Sequence, residues 1–163
     1  MKELVVLGNE KLLEKPKVAF MASRRVASEE VLRCYDWATE QAKTQQCVVS
    51  GFSSKLEKDV LHFLLKGKCP VIVVLARRMY AELPEEWQTA LNEGRMLIVA
   101  VSQAVRQSQQ TAMKRNHYVV EISKKVYLAG VTENSTLFHF MREYPDKCIL
   151  IKPSSQLYDI YSI

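Results

Sequence analysis

The sequence predicts a doubly wound, mostly parallel α/β sheet of Rossmann-like type with helices on both faces. Three observations carry this. Short apolar runs recur along the whole 163 residues, separated by stretches with helical spacing of apolar side chains. The strongest run, Pro70-Val71-Ile72-Val73-Val74-Leu75-Ala76, is continuously apolar rather than alternating, as expected of a strand covered on both faces. Several runs also end alike, in small residues, hydroxyls or cations: Ala22-Ser23-Arg24-Arg25, Ser50-Gly51 and Ala76-Arg77-Arg78. The alternation leaves room for one domain over residues 1–163, with a lead-in over 1–16 and a tail over 154–163.

Each element has a local reason. Residues 3–15 read as an extended or turn-rich lead-in around Gly8-Asn9, with Leu12 and Leu13 available to pack on the sheet. Pro16 bars a helix and sets up the first strand, Lys17 to Ala22. Ser28 then stands where an N-cap belongs, with Glu29 and Glu30 in the first turn and Val31, Leu32, Tyr35, Ala38 and Ala42 at helical spacing. Cys47 to Ser50 form the second strand, closed by Gly51. Ser53 or Ser54 caps the next helix, whose apolar face runs from Leu56 to Leu65, and Gly67 sits where a C-terminal glycine is common.

The third strand is the Pro70–Ala76 run. Pro84 is expected at the first position of a short helix, with Glu85 and Glu86 behind it, ended by Asn92-Glu93-Gly94. Arg95 to Val101 make the fourth strand. A polar loop over 102–110 precedes a helix capped by Thr111 and carrying Val119, Val120 and Ile122. Val126 to Ala129 form a fifth strand ended by Gly130. A polar loop over 132–136 leads into a helix with Leu137, Phe138, Phe140 and Met141, and Cys148 to Ile151 form a sixth strand.

Composition narrows the class. A net charge of +5 permits a phosphate-bearing partner without demanding one. No apolar run reaches the roughly 20 residues of a bilayer span, so no membrane association is expected. The N-terminus shows no signal peptide, and the 4 cysteines form no C-x-x-C pair. Buried reduced thiols in a cytoplasmic protein are the reading. Neither G-x-G-x-x-G nor G-x-x-x-x-G-K-[ST] occurs, the 3 histidines are scattered, and no Cys or Ser has a visible partnering base. No cofactor, metal or catalytic constellation is expected.

What remains is a binding edge. In a parallel sheet the loops after the strands share one side, and helix N-termini add partial positive charge there. Ser23, Arg24 and Arg25 follow the first strand, Ser50 and Gly51 close the second, and Arg77 follows the third. Lys114, Arg115 and Asn116 lie beyond the fourth and Ser135 beyond the fifth. That set suits phosphate, carried either by a nucleotide or by a nucleic-acid backbone. Phe52, Tyr80 and Tyr118 stand close enough in sequence to stack on bases, with core packing as the other reading.

The ordered series of motifs resembles the Rossmann-like domain of the DNA-processing protein A (DprA/Smf) family, within the lysine-decarboxylase-like and nucleotide-sensing group. The matching pieces are Gly8-Asn9 with Leu12-Leu13, Val18 to Arg24, Val48 to Phe52, Pro70 to Ile72 with Ala76-Arg77, Gly94 to Ile98, and Arg115-Asn116. The resemblance covers roughly residues 8–151. It implies non-enzymatic binding of single-stranded DNA through a basic pocket, with Ser23, Arg24, Ser50, Gly51, Arg115 and Asn116 as contacts. It further implies recombinase loading in natural transformation and possible homodimers. Ala22 stands where the family has glycine, and the loop over 132–136 lacks the glycines that nucleotide-binding relatives use. A small-nucleotide sensor or enzyme using the same pocket, or a scaffold without ligand, are the alternative expectations.

Overall fold

A computed structural model describes residues 4–152, so the tail over 154–163 lies outside the described residues. In chain order the strands are β1 (Val5–Gly8), β2 (Lys17–Ala22), β3 (Cys47–Ser50), β4 (Val71–Leu75), β5 (Met96–Ala100), β6 (Lys125–Ala129) and β7 (Cys148–Leu150). The helices are α1 (Ser28–Ala42), α2 (Lys55–Leu65), α3 (Gln88–Asn92), α4 (Gln109–Ile122) and α5 (Thr136–Glu143). A 3-10 turn at Glu10–Glu14 joins β1 to β2, and another at Glu85–Trp87 leads into α3. The strands form one sheet in the order β1-β5-β4-β3-β2-β6-β7. All neighbours are parallel except β1, which pairs antiparallel with β5 at the edge.

The period of two along each strand divides the core between the faces. Val18, Phe20, Val48, Val71, Val73, Met96 and Ile98 face α1, α2 and α3, meeting Cys34, Ala38, Leu56, Val60, Leu64 and Ala90. Ala19, Met21, Val49, Ile72, Val74, Leu97 and Val99 face the other way, onto Leu12, Val119, Val120, Leu137 and Phe140 from the 3-10 turn, α4 and α5. Both faces being covered is why β4 is apolar at every position and buried throughout. The expected doubly wound α/β fold is the observed one. The lead-in contributes a seventh strand that its sequence left open between extended and turn-rich, and Leu12 packs on the sheet as expected.

Ser54 caps α2 as expected, while three other helix starts differ from the sequence reading by one to three residues. Ser28 is the first residue of α1, and the cap position falls on Ala27, which makes no side-chain capping bond. Pro84 is a cap rather than a first helical residue. Thr111 does not cap α4: Ser108 does, accepting from the Thr111 N–H while the Thr111 hydroxyl accepts from the Ser108 N–H. A capping box pairs two hydroxyl residues three apart, and in sequence its inner member resembles a cap of its own.

Gly67 stands after α2 as expected, but tight packing is the reason for it. A Cβ there would lie 2.2 Å from the Ala42 carbonyl oxygen and 2.6 Å from the Ala42 Cβ. The next residue, Lys68, donates its N–H to that same carbonyl at 2.8 Å. The turn after α2 therefore satisfies an end carbonyl of α1 and locks the two helices together. Gly67→Ala is expected to cost roughly 1–3 kcal/mol in urea denaturation through backbone displacement. Leu32→Ala, at a side chain 61% exposed, should stay within about 0.5 kcal/mol.

All four thiols are free; Cys34, Cys47 and Cys69 are buried and Cys148 is half-buried. Burial pushes Cys34 and Cys69 up to about 12 and Cys47 to about 11. In the native protein at pH 8, a thiol reagent should therefore modify Cys148 first and reach the other three only as the chain unfolds. Equal rates at all four would contradict this burial.

Candidate functional site

From the interior strand β2 the chain builds outward through β3, β4 and β5 on one side, then returns to β6 and β7 on the other. The order reverses beside β2, and open α/β sheets leave a crevice at such a point, outside the strand C-termini. Here it is a cleft of about 890 Å³. The end of β2 supplies Ala22, Ser23 and Arg24, and the start of α2 supplies Ser53, Ser54 and Glu57. The loop before α4 and its first turns add Gln107, Gln109, Gln110, Arg115 and Asn116, and the start of α5 adds Ser135, Thr136 and Leu137.

The floor is built on a buried carboxylate. Glu57 is 8% exposed, and its two oxygens accept three backbone N–H groups. Ala22 donates to Oε2 at 2.9 Å, and Ser53 and Ser54 donate to Oε1 at 2.8 and 3.2 Å. Ser54 completes the capping box by accepting the Glu57 N–H at 3.2 Å. The turn that brings these amides together is strained: Phe52 has φ of +46°, in the left-handed region a bulky residue rarely adopts. The Ser50 Oγ holds it, accepting the Phe52 N–H at 3.0 Å.

Arg115 lies across this floor, 6% exposed. Its Nε donates to Asn116 Oδ1 at 2.8 Å and a terminal nitrogen donates to Gln107 Oε1 at 3.3 Å. Burial lowers its pKa and the nearby Glu57 charge opposes that shift, so the guanidinium keeps its charge at neutral pH. The side chain rests directly on Gly51: a Cβ there would come within 2.6 Å of Arg115 Cδ, Cζ and a terminal nitrogen. The close approach expected at Gly51 is thus made by an arginine of the same chain.

The expected site residues separate into three groups. Ser23, Arg24, Arg115, Asn116 and Ser135 line the cleft together. Ser50 and Gly51 lie beneath it, Ser50 fully buried as the brace of the Phe52 turn and Gly51 as the seat of Arg115. Arg25, Arg77 and Lys114 do not line it. Arg25 is exposed, and its carbonyl packs against Gly130. The Arg77 guanidinium lies 4.5 Å from the Tyr80 ring centroid, and its Nε donates to the Arg78 carbonyl at 2.9 Å. The Ser135 hydroxyl closes a turn with Thr132, bonded to both its N–H and its carbonyl. Phe52 is a core residue, 5% exposed, and offers no face for stacking.

The sequence reading placed neither Glu57 nor Gln107 at the binding edge. The signal for Glu57 was present as Ser54-x-x-Glu57, a capping box before an apolar run. Gln107 carried none, because its role depends on where α4 sets Arg115. Glu57→Ala should destabilise the protein by about 2–4 kcal/mol in denaturant unfolding, since three backbone amides lose their acceptor. Lys58→Ala, one residue on and exposed, should cost less than about 0.5 kcal/mol.

The family model for DNA recombination-mediator protein A matches residues 2–139. No curated protein matches in sequence. DNA processing protein A from Streptococcus pneumoniae shares the fold at 17% identity and a TM-score of 0.70, over 90% of this chain and 53% of that one. DNA processing protein A from Helicobacter pylori, whose structure concerns its single-stranded DNA binding mode, shares it at 20% identity and a TM-score of 0.70, over 90% and 70%. The present chain thus spans about half the length of the first and somewhat over two thirds of the second. With the family model covering most of its length, the chain belongs to the DNA recombination-mediator protein A family.

Proposed function

We propose that the cleft binds single-stranded DNA through its phosphates and carries out no catalysis. The observation that supports this most directly is the pairing of Arg24 with the buried, preoriented Arg115 in one groove. Amide side chains of Gln107, Gln109, Gln110 and Asn116 line the same groove and can donate to phosphate oxygens. The N-terminus of α5 faces it at Ser135–Leu137 without a side-chain cap, leaving its amides to an anion. The lining contains no histidine or cysteine, and its one carboxylate is committed to three amides, which favours binding over chemistry. Glu57 also weighs against a small nucleotide, because it fills the amide nest at α2 where such a ligand would seat its phosphate.

The test is fluorescence anisotropy of labelled oligo-dT over a range of salt. Arg24→Ala should weaken binding about tenfold and flatten the dependence of log K on log[salt] by about 0.7. Arg24 is exposed, so this variant reports binding rather than folding. Gly51→Ala should weaken binding by displacing the Arg115 guanidinium, with both variants read beside a melting curve. Unchanged affinity and slope in both would overturn the proposal. Thermal stabilisation by mononucleotides but not by oligonucleotides would replace it with the small-nucleotide reading.

A further inference from the structure

Away from the cleft floor, α4 and α5 lie side by side on one face of the sheet and carry two of the three histidines. His117 is half-buried on α4, while His139 and Glu143 sit one turn apart on α5. The His117 ring packs edge-on against Phe140 at 5.0 Å and against His139 at 6.1 Å between centroids. His139 Nε2 is 3.1 Å from Glu143 Oε1. One donor atom from each of His117, His139 and Glu143 lies within 4.8 Å of the other two. Among the described residues no other three His, Cys, Asp or Glu side chains converge in this way.

We propose that His117, His139 and Glu143 bind a divalent cation of the zinc class across the seam between α4 and α5. Two imidazoles and a carboxylate are a donor set such ions favour, and three protein ligands leave a fourth position to water. A tetrahedral ion with bonds near 2.1 Å separates its donors by about 3.4 Å. The His139–Glu143 pair already meets that spacing. The donor atoms of all three already lie within 4.8 Å, and His139 and Glu143, 60% and 43% exposed, close the remaining gap to His117 by side-chain rotation.

The surroundings suit a cation. Glu121 stands one turn beyond His117 on α4 and is exposed. An open hollow of about 430 Å³ lies beside two of the three ligands, lined by Glu133, His139, Arg142 and Glu143 among others. Arg142, the nearby cation, lies over the Phe138 ring at 6.0 Å. The same two helices carry Arg115 and Asn116 on one wall of the cleft and Ser135 to Leu137 on another. A bound ion therefore staples together two walls of the cleft.

The third histidine supplies an internal control. His62 forms a similar pair with Glu86 at 2.8 Å but has no second imidazole. Calorimetric titration of the reduced full chain with Zn²⁺ should show one ion per chain. His117→Gln and His139→Gln should each weaken binding at least tenfold, and His62→Gln should leave it unchanged. Glutamine keeps most of the packing volume, and equal metal-free melting temperatures would show that these variants are folded. Zn²⁺ should raise the melting temperature of the wild type and of His62→Gln, but not of His117→Gln. Co²⁺ substituted for zinc should show no thiolate charge-transfer band, separating this site from capture by Cys148. Undiminished binding in His117→Gln and His139→Gln, an equal loss in His62→Gln, or a thiolate band would each overturn the proposal.

Discussion

The cleft depends on one buried carboxylate. Glu57 gathers the last amide of β2 and the first amides before α2 onto its two oxygens, tying a strand end to a helix start across a sharp turn. A carboxylate taken out of water is costly unless its charge is met, and here three N–H donors and the field of Arg115 meet it. The arrangement also makes the strain at Phe52 bearable. A left-handed bulky residue costs on the order of 1–3 kcal/mol, and the charge-assisted bonds it permits are of comparable or larger size. The turn is strained because the carboxylate requires those amides in one place.

The same interaction decides which chemistry is left for a ligand. A phosphate at a strand end ordinarily takes amides from the following helix. At α2 those amides are already held by Glu57, so the proposed phosphate contacts fall to side chains and to α5. This gives Ala22 a physical account. A glycine at that position would matter if the backbone met the ligand, but the Ala22 N–H faces Glu57 and its methyl group joins the core with Phe20 and Leu56. The Ala22 N–H is therefore committed to Glu57.

Much of the fold was legible because the strands are short, strongly apolar and separated by well-spaced helices. Both β2 and β3 were legible to the residue, because Pro16 and Gly51 punctuate them. Helix caps were less legible. Ser28 has the chemistry of a cap yet stands one residue inside α1, and Ser108 and Thr111 satisfy one another reciprocally. Of the residues that line the cleft, Ser23, Arg24, Arg115, Asn116 and Ser135 were legible by a rule of location: they follow strand ends or lie in the next helix. That rule cannot separate Arg115 from Lys114. Adjacent residues on a helix diverge by about 100°, and only the seating of α4 on the sheet decides which one turns inward.

Gly51 shows most clearly why location alone was insufficient. In sequence, a glycine after a strand signals close backbone approach without saying by what. In the structure the approaching group is a guanidinium, so the glycine acts one step removed from any ligand. It lets a long cation lie flat over the strand end, where Gln107 and Asn116 hold its nitrogens. A cation held in this way has lost its side-chain entropy before a ligand arrives, and a preorganised group binds at lower cost than a flexible one. Arg115 and Gly51 thus form a single structural unit, and under the proposed function the affinity for phosphate should depend on both together more than on the count of cations along the rim.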